Sequence, residues 1–139
     1  MDSISQSYDD IEVGWELQPV FMEVTEELIK DYGELLDDRN TYYNENDDFG
    51  GVIGQPALVA ILIFRLYNVR YPTLPGGIHA KQEFEFHRPL RPGMSIAISG
   101  RIAEKYMKRG RKYVVTETTI TDKDGNLIAK GMGHGIVPR

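Results

Sequence analysis

The chain has 139 residues, 41% of them hydrophobic and 27% charged, with a formal net charge of -5. That is the composition of one soluble domain able to bury roughly two-thirds of its unfolded surface, and its acidity argues against a nucleic-acid footprint. With no cysteine, disulfides, thiolate metal sites and cysteine nucleophiles are excluded together.

Residues 1–10 are polar and carry no motif, so a loosely held terminus is expected before a single domain spanning 11–139. The opening Met-Asp-Ser-Ile-Ser-Gln is neither basic nor followed by an apolar run, so no secretory signal is expected and a cytoplasmic location is. From Ile11, an apolar and aromatic stretch with Trp15, Leu17, Val20, Phe21 and Val24 predicts an extended lead-in and a first strand. Pro19 puts that strand at a sheet edge. Thr25 then offers a hydroxyl N-cap, and Leu28, Ile29, Tyr32, Leu35 and Leu36 follow at helical spacing, predicting an amphipathic helix with one buried face.

Between Asp37 and Gly54 the sequence is crowded with Asp, Asn, Gly and Tyr and has little apolar periodicity. Such a long irregular loop inside a compact domain tends to be functional. Calcium is rejected for Asn44, Asn46 and Asp48, because the glycine falls one position late and no glutamate follows at EF-hand spacing.

The run from Pro56 to Tyr71 opens Pro-Ala-Leu-Val-Ala-Ile-Leu-Ile-Phe, apolar on every face of the helix it would form. A helix apolar all round must be wrapped on all sides, and this one falls short of the about 20 apolar residues needed to span a bilayer. It is therefore predicted to be a buried core helix, with Pro56 at its first position. Gly50, Gly51 and Gly54 let the chain turn into it, and Pro72 and Pro75 end it.

Everything beyond reads as sheet. From Ile78 to Arg88 the residues alternate, with Ile78, Ala80, Gln82, Phe84 and Phe86 on one face and His79, Lys81, Glu83, Glu85 and His87 on the other, a half-buried strand. Phe84, Phe86, Ile96 and Ile98 are expected to face the core helix. Met94 to Met107 and Lys112 to Thr121 form the next strands, joined by a Lys108-Arg109-Gly110-Arg111 turn. Asp124-Gly125 is the strongest hairpin signal in the chain. The last strand, Asn126 to Val137, contains Gly131, Gly133 and Gly135, which predicts close packing or a bend. The architecture that satisfies all of this is α+β, a central helix held by a curled antiparallel sheet of five or six strands.

This order of elements resembles the hot-dog fold. Ile11-Glu12-Val13-Gly14, the loop from Asp37 to Gly54, and His79-Ala80-Lys81-Gln82 leading to Arg88-Pro89-Leu90-Arg91-Pro92-Gly93 resemble the MaoC-like hydratase/dehydratase family, in its N-terminal-type subgroup. The resemblance implies a hydro-lyase acting on 2-enoyl and 3-hydroxyacyl thioesters of coenzyme A or a carrier protein, with no further cofactor. The substrate arm would lie along the core helix. It also implies a homodimer or a heterodimer with another hot-dog chain, since the family completes its thioester tunnel between two units. Membrane and nucleic-acid partners are not expected. The family's R-specific hydratases carry Gly-Asp-x-Asn-Pro-x-His, in which Asp and His hold the attacking water. In the corresponding run, Asp37-Asp38-Arg39-Asn40-Thr41-Tyr42-Tyr43, Asp38 and Asn40 match, while Thr41 replaces the Pro and Tyr43 the His.

The resemblance makes Asp38 the candidate base, and without it a loop carboxylate is ordinarily a turn-forming residue. Asn40 either orients Asp38 or caps a turn. Tyr43 is either a proton donor or a packed aromatic. Family hydratases aim a backbone N–H at the thioester oxygen from the start of the core helix; Pro56 has none, so that contact falls to Ala57 or to the glycines before it. Gly54, Gln55 and Ala57 are the candidate substrate-binding residues at this corner. Arg109 and Arg111, in a basic hairpin with Lys105, Lys108 and Lys112, either bind the phosphates of the thioester carrier or form a solvated turn. His79 and His87, eight residues apart, lack a third ligand spacing, so no metal is expected. The alternative functions are a non-catalytic subunit shaping a partner's acyl tunnel, and an isomerase or thioester hydrolase on the same scaffold.

Overall fold

The computed structural model describes residues 7–37, 43, 51–70 and 77–138, with only the backbone of 67–70. A 3-10 turn, Tyr8–Asp10, precedes β1 (Glu16–Glu23), α1 (Glu26–Leu35), α2 (Pro56–Arg70), β2 (Ile78–Phe86), β3 (Ser95–Lys108), β4 (Arg111–Asp122) and β5 (Leu127–Ile136). The strands form one five-stranded antiparallel sheet in the order β1-β3-β4-β5-β2. β1, with Pro19, is an edge strand as expected, and β2 is the other edge.

The core lies between α2 and the inner face of the sheet. Leu58, Leu62, Ile63 and Leu66 pack on Ile96, Ile98, Ile120 and Ile128, all of them buried. Two glycines let the helix come this close. A methyl group on Gly100 would lie 2.6 Å from Leu66 Cδ2, and one on Gly131 would lie 3.2 Å from Ile63 Cγ2. Beyond the helix the same face is covered from the N-terminal side, where Ile11 joins Ile102 and Val114 in a second buried cluster against Tyr8. Lys105 Nζ fastens this cover, donating to the Ile11 carbonyl at 2.8 Å and sitting 4.2 Å over the Tyr8 ring.

Local signals place most boundaries. The Thr25 hydroxyl accepts from the Leu28 N–H at 3.0 Å and caps α1, with Glu26 and Glu27 in its first turn. Arg109 and Gly110 have φ of 50° and 71°, the paired left-handed geometry of a two-residue hairpin turn. Asp122 accepts from the N–H groups of Asp124 and Asn126, each at 2.9 Å, and closes the Asp124-Gly125 turn.

Four expectations are corrected. Leu35 is 79% exposed and Leu36 is also exposed, because Leu35 stands two residues past buried Gly33 and so about 200° round a helix of 3.6 residues per turn. The face α1 buries is centred on Ile29 and Gly33, with Leu28 and Tyr32 packed partly buried against the core as expected. α2 is not wrapped on all sides: Ile61 is 51% exposed, because a single sheet covers one side of a helix only. Phe86 shares the α2 side of β2 with Phe84, on which it stacks, but at the end of this edge strand it is left 52% exposed rather than covered. His79 does not share a face with His87: the register shifts between His79 and Lys81. That bulge reverses the alternation upstream and turns the His79 ring onto Phe64 of α2, centroids 5.5 Å apart.

The seating of α2 gives a first test. Gly100→Val should destabilise the fold by about 1–3 kcal/mol, by overpacking against Leu66, read as a lowered urea midpoint; an unchanged midpoint would contradict the close approach.

On the outer face Glu117 lies 3.3 Å from both Arg101 Nε and Lys130 Nζ. Burial raises the Glu117 carboxyl, but hydrogen bonds and attraction from the two cations outweigh it and hold it below the ordinary glutamate value. A group depressed in the folded state contributes stability above its unfolded pKa and loses it as pH falls through the folded pKa. Glu117→Gln should therefore cost stability at neutral pH and little in acid. Urea midpoints showing an equal deficit at both would remove the ion pairs from the account.

Candidate active site

The N-terminus of α2 is held in place by the strand-like residues before it. Gly54 N–H donates to the Leu90 carbonyl at 2.8 Å, and a methyl group on Gly54 would lie 3.0 Å from Leu90 Cβ, a tight approach that favours glycine. Ile53 N–H donates to the Tyr43 carbonyl at 2.9 Å, which ties half-buried Tyr43 alongside the helix start. Leu90 belongs to the buried core, so this corner of the site is anchored in the interior.

The first backbone donors of α2 are unequal. Pro56 has no N–H, and the N–H groups of Leu58 and Val59 go to the Gln55 carbonyl at 2.9 and 3.3 Å. The Ala57 N–H has no acceptor among the described residues and lies at the positive end of the helix dipole. Gln55 itself is only 4% exposed. Its Nε2 donates to the Ile29 carbonyl at 3.4 Å, while its Oε1 has no partner among the described residues. Among the described residues, a donor and an acceptor without partners thus stand two residues apart in the chain. The donor can stabilise a carbonyl oxygen that gains negative charge, and the acceptor can take an O–H or N–H.

Of the residues the sequence pointed to, Tyr43, Gly54, Gln55 and Ala57 come together at this corner. Asp38 and Asn40 lie outside the described residues. Arg109 and Arg111 sit on the turn between β3 and β4, whereas Gly54 bonds Leu90 near the other end of β3, where Met94 meets Val24. At the usual rise per residue, β3 puts about 40 Å between those ends. One chain therefore does not bring these arginines to the helix start. Sequence reasoning missed the buried Thr118, whose Oγ1, like Gln82 Oε1, has no partner among the described residues; within a Val/Thr-rich strand nothing marked it out. It also left His134 unassigned, and His134 Nδ1 lies 3.0 Å from the Tyr106 hydroxyl on the outer face. Among the described residues no three His, Cys, Asp or Glu side chains are grouped to hold a metal, and no helix is long and apolar enough to cross a membrane.

A helix seated on the glycine-bearing inner face of a five-stranded antiparallel sheet in this order, with its N-terminus at the candidate site, is the hot-dog architecture. The chain belongs to the FAS1-like dehydratase domain region family, whose sequence model matches residues 12–131, among the MaoC-like hot-dog proteins. It is 24% identical over 131 residues to a 3-hydroxybutyryl-CoA dehydratase of Methylorubrum extorquens, covering 88% of this chain and 82% of that protein. In fold it is similar to the MaoC-like dehydratase of Rhodospirillum rubrum, with a TM-score of 0.81, 20% identity and coverage of 94% and 95%. It is likewise similar to the truncated HadBC (3R-hydroxyacyl-ACP dehydratase) complex of Mycobacterium tuberculosis, with a TM-score of 0.73, 18% identity and coverage of 96% and 99%.

Proposed function

We propose that this chain is an acyl-thioester hydratase/dehydratase, interconverting 2-enoyl and 3-hydroxyacyl thioesters of coenzyme A or a carrier protein without a further cofactor. The observation that carries this reading is the Ala57 N–H, left without an acceptor among the described residues at the positive end of a core helix. When water adds to an enoyl thioester, its oxygen bonds to the β-carbon and electron density moves onto the thioester oxygen. A donor already aimed at that oxygen lowers the barrier, and a single such donor is typically worth about 10²–10³ in rate. Asp38 takes the proton from water, and a proton is delivered to the α-carbon, with Tyr43 as the donor and Asn40 orienting Asp38. The relationship to a 3-hydroxybutyryl-CoA dehydratase supports the same pair of reactions.

A second reading is favoured by Tyr43, which stands where family hydratases carry histidine. In it the chain shapes the acyl tunnel of a partner that holds an intact Asp/His pair. Both readings call for a second hot-dog chain, and the edge at β2 is one place for it: β2 has no further strand on one side among the described residues, and its Phe86 is half exposed, as is Ile61 of α2. Arg109 and Arg111 remain candidate phosphate ligands for a site completed by such a partner. Isomerisation or thioester hydrolysis is the reading left if thioester is consumed without hydration.

Hydration of crotonyl-CoA by the purified chain decides between these readings. Asp38→Asn should lower turnover by about 10²–10⁴-fold with folding intact. A large loss in Tyr43→Phe makes Tyr43 the proton donor, and near-normal turnover returns it to packing. If the wild type is inactive on enoyl thioesters while a partner's activity requires it, the tunnel-shaping reading stands instead. For the assembly, Phe86→Glu combined with Ile61→Glu should convert a sedimenting dimer to monomer; a wild type that is monomeric at micromolar concentration, with no partner recovered, would remove the second chain.

A further inference from the structure

Two surfaces of the chain set exposed apolar side chains beside charges of one sign. The first is the C-terminal half of α1, where Leu35 is 79% and Leu36 50% exposed. Glu27, Asp31 and Glu34, at i, i+4 and i+7, form one exposed acidic stripe next to Leu35. The last turn of α1 holds no basic residue, although that end is the negative pole of the helix dipole. The second surface is the end of the β3–β4 hairpin, where Met107 is 63% exposed beside Lys108, Arg109, Arg111 and Lys112. Neither these four cations nor the three carboxylates of the stripe has an ion pair among the described residues. In a chain of net charge -5 the hairpin is a concentrated positive surface, and each surface supplies the charge that the other lacks.

We propose that the β3–β4 hairpin of one copy of this chain docks on the C-terminal half of α1 of a second copy, with Met107 against Leu35 and Leu36 and the hairpin cations on the acidic stripe. Within one chain the two surfaces stay apart. α1 follows Val24, which bonds Met94 just before β3, whereas the hairpin lies at the far end of that strand, about 40 Å away at the usual rise per residue. The proposal rests on the reading that a second chain joins at the β2 edge. A two-fold axis that continues the sheet through β2 pairs that strand antiparallel with its own copy and turns the partner end for end. The hairpin stands at the Ile78 end of β2, through the register Ile78, Ile136, Tyr113 and Tyr106. In the partner it therefore arrives at the Phe86 end of this chain, the end where α1 begins. That axis is perpendicular to the sheet, so the inner faces of both copies look the same way. Met107 and Lys112 are register partners on the inner face, the face of Lys105 and the N-terminal cover, and so lie on the side of the sheet that carries the helices. Both copies make the contact, and the pair closes on itself.

The experiment is a charge swap on the full chain, read by sedimentation equilibrium. Arg109→Glu combined with Arg111→Glu should weaken the dimer about tenfold or more, because it sets like charges against the stripe. Asp31→Lys combined with Glu34→Lys should do the same from the other side. All four substitutions together restore opposite charges and should recover most of the affinity, and added salt should weaken the wild-type and the swapped dimer alike. All four positions are exposed or half-exposed, and circular dichroism confirms that each variant folds. Reversals that leave the dimer intact overturn the contact and leave a dimer at β2, and the phosphate reading of Arg109 and Arg111, standing. A loss in both reversals that the combination does not recover overturns the pairing of these two surfaces. A wild type that is monomeric at micromolar concentration removes the second copy, and this contact with it. The readout is assembly and not turnover, so the result is separate from whether the chain hydrates enoyl thioesters.

Discussion

At Gly100 and Gly131 the inner face of the sheet has no side chain, and Leu66 and Ile63 of α2 occupy the space. Both are fully buried, which is worth about 1.5–3 kcal/mol for each. Side chains on those two glycines would push the helix outward. Because the helix is stiff and its far end is tied through Gly54 to Leu90, an outward shift at Leu66 would tilt the axis about that end and turn the Ala57 N–H with it. The glycines under the second half of α2 thus set the orientation of the first turn, which the Gly54–Leu90 bond holds in place.

The site corner shows the same economy. Pro56 starts α2 with a locked φ and no N–H, which leaves the Ala57 N–H as the donor without an acceptor among the described residues while Gln55 absorbs the next two. A residue with an N–H at 56 would add a competing donor at the same helix end. Proline therefore narrows the positive end of α2 toward one N–H, at the cost of the contact that family hydratases make one step earlier. Gln55 supplies the cap through its backbone, so its side chain is released for another task.

What could be read from the sequence were the features that are local in the chain. The Thr25 cap, the Arg109-Gly110 and Asp124-Gly125 turns, Pro56 at the helix start and the edge position of β1 are each set by one to four adjacent residues. The alternation in β2 was readable only as far as its bulge. Nothing in His79-Ala80-Lys81 announces the extra residue, which becomes visible only in its pairing with β5. The exposure of Leu35 follows from its angular position on α1, whereas that of Ile61 depends on how much of α2 a single sheet can cover, which is a tertiary quantity. At the site, Gly54, Gln55 and Ala57 were legible as positions through a family resemblance. The unpaired Gln55 oxygen was not, because it arises from a contact with Ile29, 26 residues away.

The two open edges of the sheet are not equivalent, and the difference bears on where a second chain can join. β1 carries Pro19 and a register shift between Leu17 and Val20, and both interrupt the row of donors and acceptors that a further strand would need. β2 runs in unbroken register from Lys81 to Phe86 after its bulge. On its inner face stand the stacked Phe84 and Phe86, whereas the charged Lys81, Glu83 and Glu85 point to the outer face, opposite α2. A strand added at β2 would continue the sheet along an unbroken register, which Pro19 and the register shift deny to β1. The cleaner edge at β2 therefore favours that side for a second chain.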